Sequence, residues 1–173
     1  MNLPNKLTLL RILLIPVCLL LWGVGLRVLS AAVFALAALT DFLDGYIARK
    51  HDIITVFGKF ADPVADKILV LTAMIFLCAD GILPAWAVCV VAARELMVDG
   101  LRLVAVGKGK VIAAAWLGKI KTTLQIFCVL SGMLLPQGHW ITLALTIAMV
   151  VMTVWSGAKY LWGYRDVIMS GGM

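Results

Sequence analysis

The chain has 173 residues, of which 64% are hydrophobic and 14% charged, with a formal net charge of +6. Soluble domains average about 45–50% apolar and about 25% charged residues, and one small core cannot hide this much apolar side chain. A soluble globular monomer, a disordered chain and a disulfide-stapled secreted module are therefore excluded. With a mean hydropathy of +1.08, the sequence reads as an all-α integral membrane protein, a single membrane domain over residues 1–173. Nucleic acid is excluded as a partner because no basic patch is interleaved with aromatics.

Six apolar runs follow one another, at about 9–25, 28–40, 68–78, 82–98, 122–135 and 140–158. A transmembrane helix needs about 20 mostly apolar residues, so six transmembrane helices account for most of the chain. The residues from Asn2 to Arg11 read as a short N-terminal interfacial segment leading into the first span. The second run reaches span length only by continuing through Asp41, Asp44 and Ala48, and the third only by starting near Gly58 and taking in Asp62 and Asp66. The connector 107–118 is expected to lie along the membrane interface. Trp22, Trp86, Trp140 and Trp162 sit near run ends and read as interfacial belts. Cys18, Cys78, Cys89 and Cys128 form no pair or zinc spacing and read as small buried hydrophobes. His139 falls in a short connector and is expected to be inert.

Orientation follows from the basic residues. With six spans, Lys6, Arg11, Arg49, Lys50, Lys59, Lys67, Arg102, Lys108, Lys110, Lys119, Lys121, Lys159 and Arg165 fall on one side, and only Arg27 among the loop cations falls on the other. The positive-inside rule then puts both termini and the carboxylate-bearing loop in the cytoplasm.

The segment 41–67 reads DFLDGYIARKHDIITVFGKFADPVADK. Asp41 and Asp44 are three apart and Asp62 and Asp66 four apart, so each pair shares one face of a helix. The short loop between them makes the two helices antiparallel neighbours. Carboxylates at membrane depth repel one another and are tolerable when wet and ligating a cation. Oxygen-only ligands suit Mg²⁺, Mn²⁺ or Ca²⁺ and not zinc or copper. Two such ions suit phosphoryl or phosphatidyl transfer. Gly45 and Gly58 clear side chains next to the Asp pairs, and Arg49 offers a planar fork to a phosphate. The spacing alone also fits solvated helix-end carboxylates paired with Arg49, Lys59 and Lys67.

Asp41, Asp44, Gly45, Ala48, Arg49, Gly58, Asp62 and Asp66 match the pattern D-x-x-D-G-x-x-A-R-x8-G-x3-D-x3-D without departure. In this the sequence resembles the CDP-alcohol phosphatidyltransferase family, whose six-span architecture also matches the runs. The opening Asn2-Leu3-Pro4-Asn5 with Thr8 and Arg11, the stretch Ala93-Arg94-Glu95-Leu96 to Gly100-Leu101-Arg102, and Gly118-Lys119-Ile120-Lys121-Thr122 with Gln125 are most similar to its bacterial members that use glycerol 3-phosphate.

The resemblance implies transfer of the phosphatidyl group of CDP-diacylglycerol to sn-glycerol 3-phosphate in a bacterial cytoplasmic membrane, with the active site facing the cytoplasm. It implies two Mg²⁺ or Mn²⁺ ions on Asp41, Asp44, Asp62 and Asp66, with Asp66 also the general base. Gly45, Ala48, Arg49, Gly58 and, more weakly, Thr55 would contact CDP-diacylglycerol. The acceptor's dianionic phosphate needs cations. Arg94 leads, because an unpaired Arg in a span should face a polar cavity. A structural pair with Asp99, or less readily with its neighbour Glu95, is the alternative. Lys119 and Lys121, two apart, point in different directions, so one of them reaches the ligand. Arg102 and Arg11 read as interfacial anchors. A homodimer in contact with membrane lipid is also implied. Rival readings are the same chemistry on serine, inositol phosphate or phosphatidylglycerol, a small cation transporter using the carboxylates as an ion path, and an intramembrane prenyltransferase. The transporter leaves Gly45 and Arg49 unexplained, and the prenyltransferase lacks the G-x-x-A-R element.

Overall fold

A computed structural model describes residues 3–51, 56–107 and 116–165, with side chains described over 8–40, 64–105 and 116–165. The described residues form six helices and no strand: α1 Leu3–Gly23, α2 Arg27–His51, α3 Val56–Ala79, α4 Ala85–Gly107, α5 Trp116–Leu134 and α6 Trp140–Gly163. As the sequence requires, α2 continues through Asp41 and Asp44 and α3 begins ahead of Asp62 and Asp66. The expected N-terminal interfacial segment is not separate. Helix α1 runs unbroken from Leu3 with Pro16 inside it, and Thr8 and Arg11 are wholly buried. Arg11 is therefore an interior residue and not an interfacial anchor. The connector expected along the interface lies mostly outside the described residues, as does Thr55.

The local chemistry of the turns explains the antiparallel order. Helix α1 ends where the Gly25 N–H bonds the Trp22 carbonyl (3.0 Å) and the Leu26 N–H bonds the Leu21 carbonyl (2.9 Å). This paired closure needs a left-handed residue, and Gly25 has φ +84°. Helix α3 ends the same way on Gly81, φ +71°, with Ile82 bonding the Leu77 carbonyl at 2.9 Å. Helix α6 is capped by His139, whose Nδ1 accepts from the Ile141 N–H at 3.3 Å, so this histidine serves the backbone. The three turns meet at one end of the bundle. The Trp22 indole donates to Asp80 Oδ2 (3.0 Å), Arg27 stands 3.8 Å from the same carboxylate, and the Gln137 amide donates to the Gly81 carbonyl (3.1 Å). Trp22 is thus buried in a polar clamp and is not part of an interfacial belt, whereas Trp86, Trp140 and Trp162 are exposed.

All six helices feed one core that includes Cys18, Phe34, Leu69, Met74, Leu77, Val91, Cys128, Val129 and Met149. Around it the usual polarity is reversed. Arg11, Arg94, Glu95, Lys121, Thr146 and Ser156 are buried, while Leu20, Val28, Leu96, Leu103 and Ile147 are exposed. Of the cysteines, Cys18 and Cys128 are buried as expected, Cys78 is half-buried, and Cys89 is exposed. Among the described residues α6 alone is long and apolar enough by itself to cross a membrane, and 8–23 and 27–40 are shorter apolar helical stretches.

Candidate active site

The end of the bundle opposite the three turns carries the aspartate motif. Helices α2 and α3 pack against each other, and Asp41 and Asp44 lie on the last turns of α2 while Asp62 and Asp66 lie on the first turns of α3. Gly45, Ala48 and Arg49 are on α2 and Gly58 is on α3. The side chains of Asp41, Asp44, Ala48, Arg49 and Asp62 lie outside the described residues. Asp66, the described member of the acidic set, is half-buried.

Beside Asp66 lies a cluster drawn from three helices. Glu95 of α4 is 4% exposed and Lys121 of α5 is 3% exposed, and the two form a direct ion pair. Lys67 of α3 reaches Glu95 Oε2 at 3.9 Å and also pairs with Asp99. Arg94 Nη1 lies 3.5 Å from Glu95 Oε2. One buried carboxylate therefore meets cations from three helices. Asp66 and Arg94 also act electrostatically on Lys121. A single buried ion pair seldom offsets its own desolvation; a carboxylate with several donors is better compensated, and here the donors are in excess.

Arg94 continues the cluster toward α6. Its guanidinium carbon lies 5.7 Å from the centre of the Tyr160 ring, that of Arg102 lies 5.8 Å from the same ring, and Arg102 Nη2 donates to the Tyr160 hydroxyl at 3.2 Å. The Nε atoms of Arg94 and Arg102 are buried and have no hydrogen-bond partner among the described residues. Gly157 makes room for Arg94, since a Cβ there would stand 3.2 Å from Arg94 Cγ.

Three sequence expectations are resolved by this geometry. Lys119 and Lys121 do diverge: Lys121 is inside, and Lys119 is exposed with its Nζ 5.5 Å from the Trp116 ring centre. The neighbours Arg94 and Glu95 do pair, against the expectation from helical spacing, because the long Arg side chain reaches back to the carboxylate. Arg102 is tied to Tyr160 and is not a simple interfacial anchor. Sequence reasoning missed Lys67, Gly157 and Tyr160. Lys67 looked like a topology cation, and an aromatic near a helix end looks like an interface residue. Glu95 carried a signal, because a carboxylate inside an apolar run demands buried partners.

Comparison with known proteins agrees with the motif. The profile of the CDP-alcohol phosphatidyltransferase family matches residues 1–155. The chain is 45% identical over 180 residues to the CDP-diacylglycerol–glycerol-3-phosphate 3-phosphatidyltransferase of Bacillus subtilis (strain 168), covering 92% of this chain and 93% of that protein. It is 37% identical over 172 residues to the Escherichia coli (strain K12) protein of the same name, covering 92% and 93%. It is 41% identical over 171 residues to a probable phosphatidylglycerophosphate synthase of Mycobacterium tuberculosis (strain ATCC 25618 / H37Rv), covering 92% and 79%. With its motif, its helical scaffold and its relatives in agreement, the chain belongs to the CDP-alcohol phosphatidyltransferase family.

Proposed function

We propose that this enzyme transfers the phosphatidyl group of CDP-diacylglycerol to sn-glycerol 3-phosphate, giving phosphatidylglycerophosphate and CMP. The observation that carries the acceptor is the buried excess of cations around Glu95, beside the helix ends that bear the four aspartates. Lys121 and Arg94 share the one buried carboxylate of Glu95, so a dianionic phosphate is the natural added counter-charge, which a net-neutral acceptor such as serine would not supply.

Asp41, Asp44, Asp62 and Asp66 would hold two divalent cations, Mg²⁺ or Mn²⁺. Their all-carboxylate donor set fits hard ions. When bound, these ions neutralise the diphosphate and acidify the acceptor hydroxyl. Asp66 takes the proton of that hydroxyl, whose oxygen bonds to the lipid-bearing phosphorus while the bond to the CMP oxygen breaks and CMP leaves with the electron pair. Gly45, Ala48, Arg49, Thr55 and Gly58 contact the CDP moiety. Arg94 and Lys121 hold the acceptor phosphate. Lys119, exposed against Trp116, is the weaker candidate.

The chain forms one multi-pass domain with six transmembrane helices in a bacterial cytoplasmic membrane, its active site on the cytoplasmic side, in contact with lipid and paired as a homodimer. Three features support the spans. The shortest helix, α5, has 19 residues, about 28 Å at 1.5 Å per residue, close to the hydrocarbon thickness. Large apolar side chains face outward on every helix. The basic residues gather at the end that carries the site.

The test is an acceptor panel: purified protein in detergent with Mg²⁺ or Mn²⁺, CDP-diacylglycerol and labelled glycerol 3-phosphate, serine, inositol phosphate or phosphatidylglycerol. Lipid product and CMP with glycerol 3-phosphate alone are expected. Product with another acceptor and none with glycerol 3-phosphate overturns the assignment. Cation flux into vesicles without CMP release would mark a transporter.

A further inference from the structure

Tyr160 and Gly157 lie beyond residue 155, where the family match ends, yet both lie against the cationic cluster. Two guanidinium groups share the Tyr160 ring, at 5.7 and 5.8 Å from its centre, and one of them also bonds the phenol oxygen. Arg94 and Arg102 repel each other, and the electron-rich face of an aromatic ring is one of few neutral groups that attracts both. Tyr160 is itself fixed, 5% exposed in a small apolar cluster with Val98 and Ala105, with Leu101 and Tyr164 packed on it. Gly157, three residues earlier and so on the same side of α6, admits the Arg94 stem. Both guanidinium groups keep a buried Nε donor that nothing among the described residues uses.

We propose that Tyr160, with Gly157, is the positioning residue of the acceptor-phosphate subsite. It holds Arg94 and Arg102 in one fixed arrangement, so that the donors are oriented before the phosphate arrives. A site arranged in advance spends less of its binding energy on ordering long side chains. The effect falls on the phosphorylated acceptor and not on CDP-diacylglycerol, because the Tyr160 ring engages the guanidinium groups of Arg94 and Arg102 on α4, whereas the CDP contacts are assigned to α2 and α3. This inference rests on the acceptor reading above.

The experiment compares wild type with Tyr160→Phe, Tyr160→Leu and Gly157→Ala in two measurements. The first is steady-state kinetics with each substrate varied in turn. Tyr160→Leu removes ring and hydroxyl and should raise KM for glycerol 3-phosphate at least tenfold. Tyr160→Phe keeps the ring and should raise it about threefold. Gly157→Ala displaces the Arg94 stem and should fall between them. In all three, KM for CDP-diacylglycerol and kcat should stay within about twofold. Equal rises in both KM values, or a fall in kcat alone, would overturn the proposal, as would Phe behaving like Leu together with normal phosphate affinity. The second measurement is equilibrium binding of inorganic phosphate, read as thermal stabilisation in detergent. Wild type and Tyr160→Phe should be stabilised and Tyr160→Leu should not. This arm needs no turnover, so it separates the two ideas. Wild type that binds phosphate but makes no lipid from glycerol 3-phosphate sinks the acceptor reading and leaves the positioning role to the Leu–Phe contrast. Tyr160→Leu that folds and binds phosphate like wild type sinks the positioning role alone.

Discussion

Lys121 and Glu95, 26 residues apart in the chain, form a buried ion pair that joins α5 to α4 near the end of the bundle that carries the aspartate motif. The pair explains why a lysine and a glutamate sit in otherwise apolar helices. Each compensates the other, and Glu95 additionally gathers Lys67 and Arg94. Without Glu95 these cations would face one another with no buried counter-charge.

Glu95→Ala should therefore be strongly destabilising, because removing one partner leaves buried charge uncompensated, at a cost of about 3–5 kcal/mol. Glu95→Gln keeps the shape and hydrogen-bonding capacity and should cost less. Thermal unfolding in detergent, with a Glu95→Ala/Lys121→Ala double-mutant cycle, reads this. Additive effects of the two single changes would show that the pair is not coupled.

The two lysines of α5 offer a sharper contrast. Lys121→Ala should lower kcat/KM for glycerol 3-phosphate by tenfold or more, whereas Lys119→Ala, exposed against Trp116, should stay within about twofold. The same initial-rate assay serves both. Equal losses would show that both cations engage the acceptor.

Asp66→Asn should abolish turnover while binding of CDP-diacylglycerol remains measurable, since the change removes a proton acceptor and keeps the side chain's size. The check is a pair of measurements, product formation and equilibrium binding of the liponucleotide. Near-normal turnover in this variant would remove Asp66 from the base role.

Chelation by EDTA should eliminate activity, with recovery on adding Mg²⁺ or Mn²⁺ and little or none with Zn²⁺, because the donor set is all carboxylate oxygen. Activity that survives exhaustive chelation would count against the metal assignment of Asp41, Asp44, Asp62 and Asp66.

At the opposite end, Asp80→Ala should leave the buried Trp22 indole without its acceptor and cost about 1–3 kcal/mol. Kinetic constants should be unchanged, since the clamp lies at the far end from the site. A lowered melting temperature with normal KM values is the expected pattern.

The sequence by itself determined the helical class, the place of each helix and the family. Its apolar runs are long, and the Asp pairs lie at helical spacing in a motif where every specified position is matched. The turn glycines Gly25 and Gly81, found left-handed in the structure, fall at the ends of those runs or between them. The sequence held no reliable account of which side of each helix faces inward. Helices that are apolar all round carry no polarity stripe to read, so Arg11 and Trp22 passed for surface residues although both are buried. Only the tertiary structure decided those faces, and with them the pairing of Glu95 with Lys67 and Lys121 and the sharing of Tyr160 by Arg94 and Arg102. The physical reason is that such contacts join residues on different helices. Local spacing fixes what lies along one helix, and packing fixes what meets across the bundle.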